Sequence, residues 1–382
     1  MTAAIHVGTR KGLIVVRQRG RRWHVAETHF LAEPVTMTLT DPRDGTQYVA
    51  LRLGHFGPKL HRSRDGGKTW VECAAPAFPA TKDNADKAPA VDTIWSMEIG
   101  GAHERGTLWA GTVPGGLFRS RNGGDSWELV TSLWDRPERK EWFGGGYDAP
   151  GIHSICVDPR DHRRVLLGIS CGGVWITEDE GATWTLQAQG MRAAYMPPEQ
   201  ASNPNIQDPH RMVACVSQPN TLWVQHHNGI FRSTDGAKNW SEIQNVKPSG
   251  FGFAVVVHPR DPDTAWFVPA VKDECRVPVK NQFVVTRTRD GGRRFTTLRK
   301  GLPRETSFDL VYRHAMDIDP SGDRLAVGST TGSLWVSNNQ GDAWQLISAH
   351  LPPIYSVRFV PSLKAASRTK RKPARASKRK SR

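Results

Sequence analysis

Six times this chain repeats one short word: a Ser or Thr, any residue, an Asp or Asn, a few small or polar residues, then an aromatic. The copies run 63–70, 120–127, 177–184, 233–240, 288–295 and 337–344, centred on Asp65, Asn122, Asp179, Asp235, Asp290 and Asn339. Their aromatics are Trp70, Trp127, Trp184, Trp240, Phe295 and Trp344, spaced 57, 57, 56, 55 and 49 residues apart. A near-constant period of this length means one supersecondary unit repeated, typically a propeller blade. Each copy lies between two β-like runs and reads as the tight turn of a hairpin. The Asp or Asn accepts from following backbone N–H groups, and a neighbouring glycine supplies positive φ. No catalytic step requires such a turn, so these twelve residues read as structural.

The words resemble the Asp-box, or BNR, repeat of sialidases, sortilin-type receptors, xyloglucanase-type glycosidases and photosystem-assembly propellers. The resemblance covers nearly the whole chain and points to a WD40/YVTN/BNR-like repeat protein of the sialidase-like superfamily. It implies a fold more than an activity, because those families do unrelated things.

The first strands of the repeats also recur, at 35–40, 94–99, 152–157, 212–216, 253–257, 314–318 and 354–359, which makes seven. Four of them run into Asp-Pro or His-Pro, at 41–42, 158–159, 258–259 and 319–320. Proline ends a strand there because it has no N–H to give the ladder. Only the last first-strand lacks three followers, and only the N-terminus lacks a first strand. Joining the two closes the ring and removes the exposed edges. The expectation is an all-β, seven-bladed propeller of four-stranded antiparallel blades over 1–361, with N- and C-terminal strands sharing one blade.

Charge separates a second region. The formal net charge is +15, but 362–382 holds ten Lys or Arg and no acid, which leaves the propeller only +5. A Lys, Arg, Ala, Ser and Pro tail cannot build a core and is expected to be disordered. It reads either as a salt-sensitive arm for nucleic acid or as a solubilising extension. The five cysteines show no CxxC spacing and read as free thiols of a reducing cytoplasm. No leader and no membrane span are expected, and a closed ring has no need to assemble, so a monomer is expected.

In a propeller the six turns share one face, and the blade-to-blade loops share the other. That second face carries the long loops 73–93, 131–151, 187–210, 268–282 and 298–311, and long loops in compact domains are often functional. With His55, His226 and His227, the loops bring Tyr147, His153, His210, Arg211, Arg276, Arg313 and His314 toward one funnel as ligand-binding candidates. The adjacent His226 and His227 must point to opposite faces of their strand.

The reading that follows is a binding module for a small molecule, glycan or protein at the funnel. The alternative is a sialidase-like glycoside hydrolase in the same funnel. The sialidase resemblance implies an arginine clamp from Arg211, Arg276 and Arg313, a Tyr312–Glu274 nucleophile pair, and Asp148 or Asp208 as the acid. The Arg-Ile-Pro word of sialidases is absent, however, and xyloglucanase-type enzymes use a cleft between two propellers. A divalent metal on His153, His210 and His314 with Asp148 or Asp208 is a third option, without supporting spacing. No cofactor and no metal are expected.

Overall fold

A computed structural model describes residues 3–80 and 89–361; the basic tail and 81–88 lie outside them. Seven four-stranded antiparallel sheets form a ring, and the described residues are all-β apart from the short helix Thr131–Trp134 and four 3-10 turns. Six sheets are continuous in sequence. The seventh joins the last strand, Ile354–Val360, to the first, Ala4–Thr9, in antiparallel register from Ala4 opposite Val360. The expected shared blade is therefore present, and it closes the ring.

The six turns are alike in atomic detail. In the first, Ser63 Oγ donates to Asp65 Oδ1 (2.8 Å) and accepts from Gly67 N (2.9 Å), while Asp65 Oδ1 accepts from Thr69 N (3.0 Å). The same three bonds recur about Asn122, Asp179, Asp235, Asp290 and Asn339. The residue bonded to the hydroxyl takes a left-handed φ in every copy, and Ala237 does so at 74° where the other five have glycine. Each turn is thus satisfied within nine residues, which is why it is readable as a word.

Between blades the core is made of large rings. Trp109, Trp175, Trp223, Trp266 and Trp335 are fully buried, one in each of five consecutive blades. Burying such side chains contributes roughly 2–3 kcal/mol each. Turn aromatics also tie neighbours together: Trp127 Nε1 donates to Ala74 O and Trp240 Nε1 to Gln187 O in the preceding blade. Around the axis the first strands are laced by Thr36 Oγ1 to Ile94 O, Ser96 Oγ to Ile152 O, Met212 N to Ser154 Oγ and Val357 N to His314 O.

The proline corners do more than end strands. Asp41 accepts from both the N–H and the guanidinium of Arg43, whose Nη1 reaches Gly101 O and Glu104 O of the next blade. Asp158 and Arg160 repeat the device. All five cysteines are free thiols. Among the described residues no helix is long and apolar enough to cross a membrane.

Candidate functional site

On the face opposite the turns, two cavities of about 540 and 620 Å³ share Gly146, Phe253, Arg276 and Arg313 in their walls. The first is aromatic and cationic. Trp95 meets Tyr147 edge-on at 5.1 Å, Tyr312 lies nearly parallel to Tyr355 at 6.4 Å, and Arg10 and Arg52 line the same space. Arg52 is held by Asp92 at 3.0 Å. Burial pushes the phenols of Tyr147 and Tyr355 up, so both stay protonated hydrogen-bond donors at neutral pH.

Arg313 divides the two cavities. Its guanidinium lies 4.9 Å from the Trp95 ring and 5.3 Å from Phe253, and its Nε has no hydrogen-bond partner. Among the described residues no carboxylate pairs with it, although it is buried; burial lowers its proton affinity. A buried cation without a partner is costly, and such groups concentrate where a ligand supplies the missing charge or acceptor.

The second cavity is built on Asp208. Its Oδ1 accepts from Ser170 Oγ (3.1 Å) and Cys171 N (3.2 Å), while Oδ2 faces His210 Nε2 (3.3 Å) and His227 Nδ1 (3.4 Å). Burial alone would raise this carboxyl; protons on His210 and His227, with the charge of Arg313, outweigh it and hold it well below the ordinary carboxylate range. His210 is locked from behind, Nδ1 at 2.7 Å from Gly252 O and its ring stacked on Phe253 at 4.5 Å. The 143–146 loop lies above them. A Cβ on Gly145 would come within 2.8 Å of Ser170 Oγ and 2.9 Å of Cys171 Sγ, and one on Gly146 within 3.2 Å of Arg313 Nη1, so only glycine brings the backbone this close. Asp273 and Glu274 complete the wall, paired with Arg276 and Lys272 respectively.

Of the residues singled out in sequence, Tyr147, Arg276, Arg313, His314 and Tyr312 line the first cavity, and Asp208, His210, Glu274, Arg276 and Arg313 the second. The Tyr312–Glu274 pair is not formed: the two line different cavities, and each has another neighbour. Nor does Arg211 join a clamp. Strand alternation turns His210 toward the fifth blade and Arg211 toward the third, where Arg211 Nη1 donates to His153 O (3.1 Å) beside the axial charges of Glu98 and Arg358. His153 is fully buried below Trp95 with Nδ1 on Ser154 Oγ, and Asp148 lines neither cavity.

The metal set considered from sequence also changes. Among the described residues Asp208 and His210 are joined by His227, while His153 and His314 belong to no group of three potential ligands. His226, by contrast, turns away into the blade, its Nε2 accepting from Asp208 N, as the alternation of adjacent residues requires. Reading the sequence missed the aromatic wall of Trp95, Phe253 and Tyr355. Nothing local marks these three, since each sits in an ordinary strand word.

No protein-family profile matches the chain. A xyloglucanase of Paenibacillus sp. is 24 % identical over 324 residues, which is 74 % of this chain but 29 % of that enzyme. The chain therefore spans less than a third of the length of this relative. The GH74 xyloglucanase of Xanthomonas campestris superposes with a TM-score of 0.61 at 17 % identity, over 91 % of this chain and 52 % of the other. YCF48 bound to D1 peptide superposes at 0.53 with 13 % identity, covering 85 % of each chain. These likenesses show the propeller fold.

Proposed function

We propose that the chain is a glycoside hydrolase that receives a glycan in the funnel. The similarity to xyloglucanases favours this alternative over the binding module expected from sequence. The observation that carries it is the pairing of the two cavities: an aromatic one beside a carboxylate-bearing one, joined through Arg276 and Arg313. Sugar rings present apolar C–H faces to aromatic side chains and hydroxyls to Arg and Asp, which is the mixture this funnel offers. A pocket inside one ring suits the end of a short oligosaccharide rather than the middle of a polymer.

Glycosidic cleavage needs one group to protonate the leaving oxygen and a second carboxylate in support. Asp208 is the buried carboxylate of this cavity, and Asp273 and Glu274 are the further carboxyls that line it. The test is to incubate the full chain with xyloglucan and other β-glucan oligosaccharides and count new reducing ends. Turnover is expected, and the Asp273→Asn, Glu274→Gln double variant should slow it by about a hundredfold or more. If no glycan is cleaved, or the double variant matches the parent, the reading fails.

A further inference from the structure

We propose that Asp208, His210 and His227 bind one divalent transition-metal ion of the zinc class at the edge of the second cavity. His210 is the fixed point of this cluster. Its Nδ1 is 2.7 Å from Gly252 O, an acceptor only, so Nδ1 carries the proton. Whenever that ring is neutral, Nε2 is a bare lone pair, and it points at the carboxylate oxygen Asp208 Oδ2. Two acceptors facing each other in a buried site need a cation between them.

Distance separates the two candidates, a proton and a metal. A charge-assisted N–H to carboxylate bond closes to about 2.7–2.9 Å. The two contacts here stand off at 3.3 and 3.4 Å, although the neighbouring bond to Gly252 is short. Bonds of about 2.0–2.1 Å at tetrahedral angles put ligand atoms about 3.3–3.4 Å apart, which is the spacing found. All three ligand atoms lie within 4.8 Å of one another.

The surroundings match what a metal site needs outside its ligands. Ser170 Oγ and Cys171 N hold the other carboxylate oxygen, and Gly252 O fixes the His210 tautomer, so each supporting bond leaves the inward atom free. Two imidazoles and one carboxylate suit zinc and its neighbours, and three protein ligands facing a cavity leave positions for water or a substrate oxygen. The cluster of Glu104, His162 and Glu180 on the far side of the ring differs: Arg119 and Arg121 already neutralise it. The inference stands apart from the hydrolase reading, whose carboxylate chemistry needs no ion.

The test uses the tag-free full chain, stripped with a chelator and titrated calorimetrically with zinc chloride, and with cobalt(II) for its visible spectrum. One ion per chain is expected, with a tetrahedral cobalt spectrum. His227→Ala should weaken zinc binding at least tenfold; His227 is partly exposed, so this variant keeps the fold. Ser170→Ala should weaken binding about 10–100-fold through the freed carboxylate, and His162→Ala should leave it unchanged. No zinc uptake, or equal affinity in the parent and His227→Ala, would overturn the proposal. Zinc binding without glycan cleavage would leave it standing and remove the hydrolase reading; cleavage without zinc binding would do the reverse.

Discussion

At Arg313 the chain holds a guanidinium between Trp95 and Phe253 with no carboxylate to pair it. The cost is folding stability, and the gain is a directed donor where two cavities meet. Arg313→Met removes the desolvation cost of a buried cation and also a charge that helps hold Asp208 ionised, so stability should shift by no more than about 1 kcal/mol, while glycan affinity falls. Denaturant melts and calorimetry on one preparation check both. His6, in the first strand, gives a pH signature of the core. Burial, then Arg17 and His29, lower its pKa from 6.5 to about 4. Below pH 6.5 the unfolded chain takes up a proton that the folded chain refuses, so stability falls with acid until about pH 4 and is level above 6.5. His6→Leu should remove up to about 3 kcal/mol of that loss, seen as a shallower fall of Tm between pH 6.5 and 4.

At the scale of the element, the turn explains what could be read in advance. Its bonds close between residues two and four apart, so each copy carries its own instructions and the period survives changes elsewhere. Hydrogen bonds from Thr183 and Thr177 lower Asp179 to about 2, so this turn loses its carboxylate contribution as pH drops below the unfolded value toward 2. Two copies already use asparagine, and at Asn122 Nδ2 donates to Ser126 Oγ in place of the reversed bond. Asp179→Asn should be mild at neutral pH and flatten part of the acid limb, as Tm at pH 4.5 and 2.5 would show. The glycines divide in the same way. Gly181 tolerates a Cβ, whose nearest neighbours stand 3.4 Å off, and Gly181→Ala should cost about 1 kcal/mol, the strain that Ala237 already bears. A Cβ on Gly301 would collide with the backbone carbonyl of Trp344, so Gly301→Ala should cost several-fold more in urea melts.

Across the whole molecule the site is assembled by closure of the ring, which is why so little of it was legible. The funnel loops were foreseeable from their length, and Asp208, His210, Arg276 and Arg313 do converge there. The pairings were not. Tyr312 and Glu274 are close in the order of loops, yet they line different cavities. Arg211 follows His210 directly, yet strand alternation sends it toward the third blade. His227 reaches Asp208 only because its strand returns beside the strand Pro209–Cys215, and Gly145 comes close to Asp208 from the blade before. Such contacts depend on blade geometry, which no local word encodes. The proposed place of work is the funnel face, not the turn face. The most direct measurement is calorimetric binding of xyloglucan oligosaccharides to the full chain and to Trp95→Ala, Arg313→Ala and His162→Ala. Binding is expected to fall at least tenfold in the two funnel variants and to be unchanged at His162 on the far face. Equal affinity in all four proteins, or a loss confined to His162→Ala, would contradict this placement.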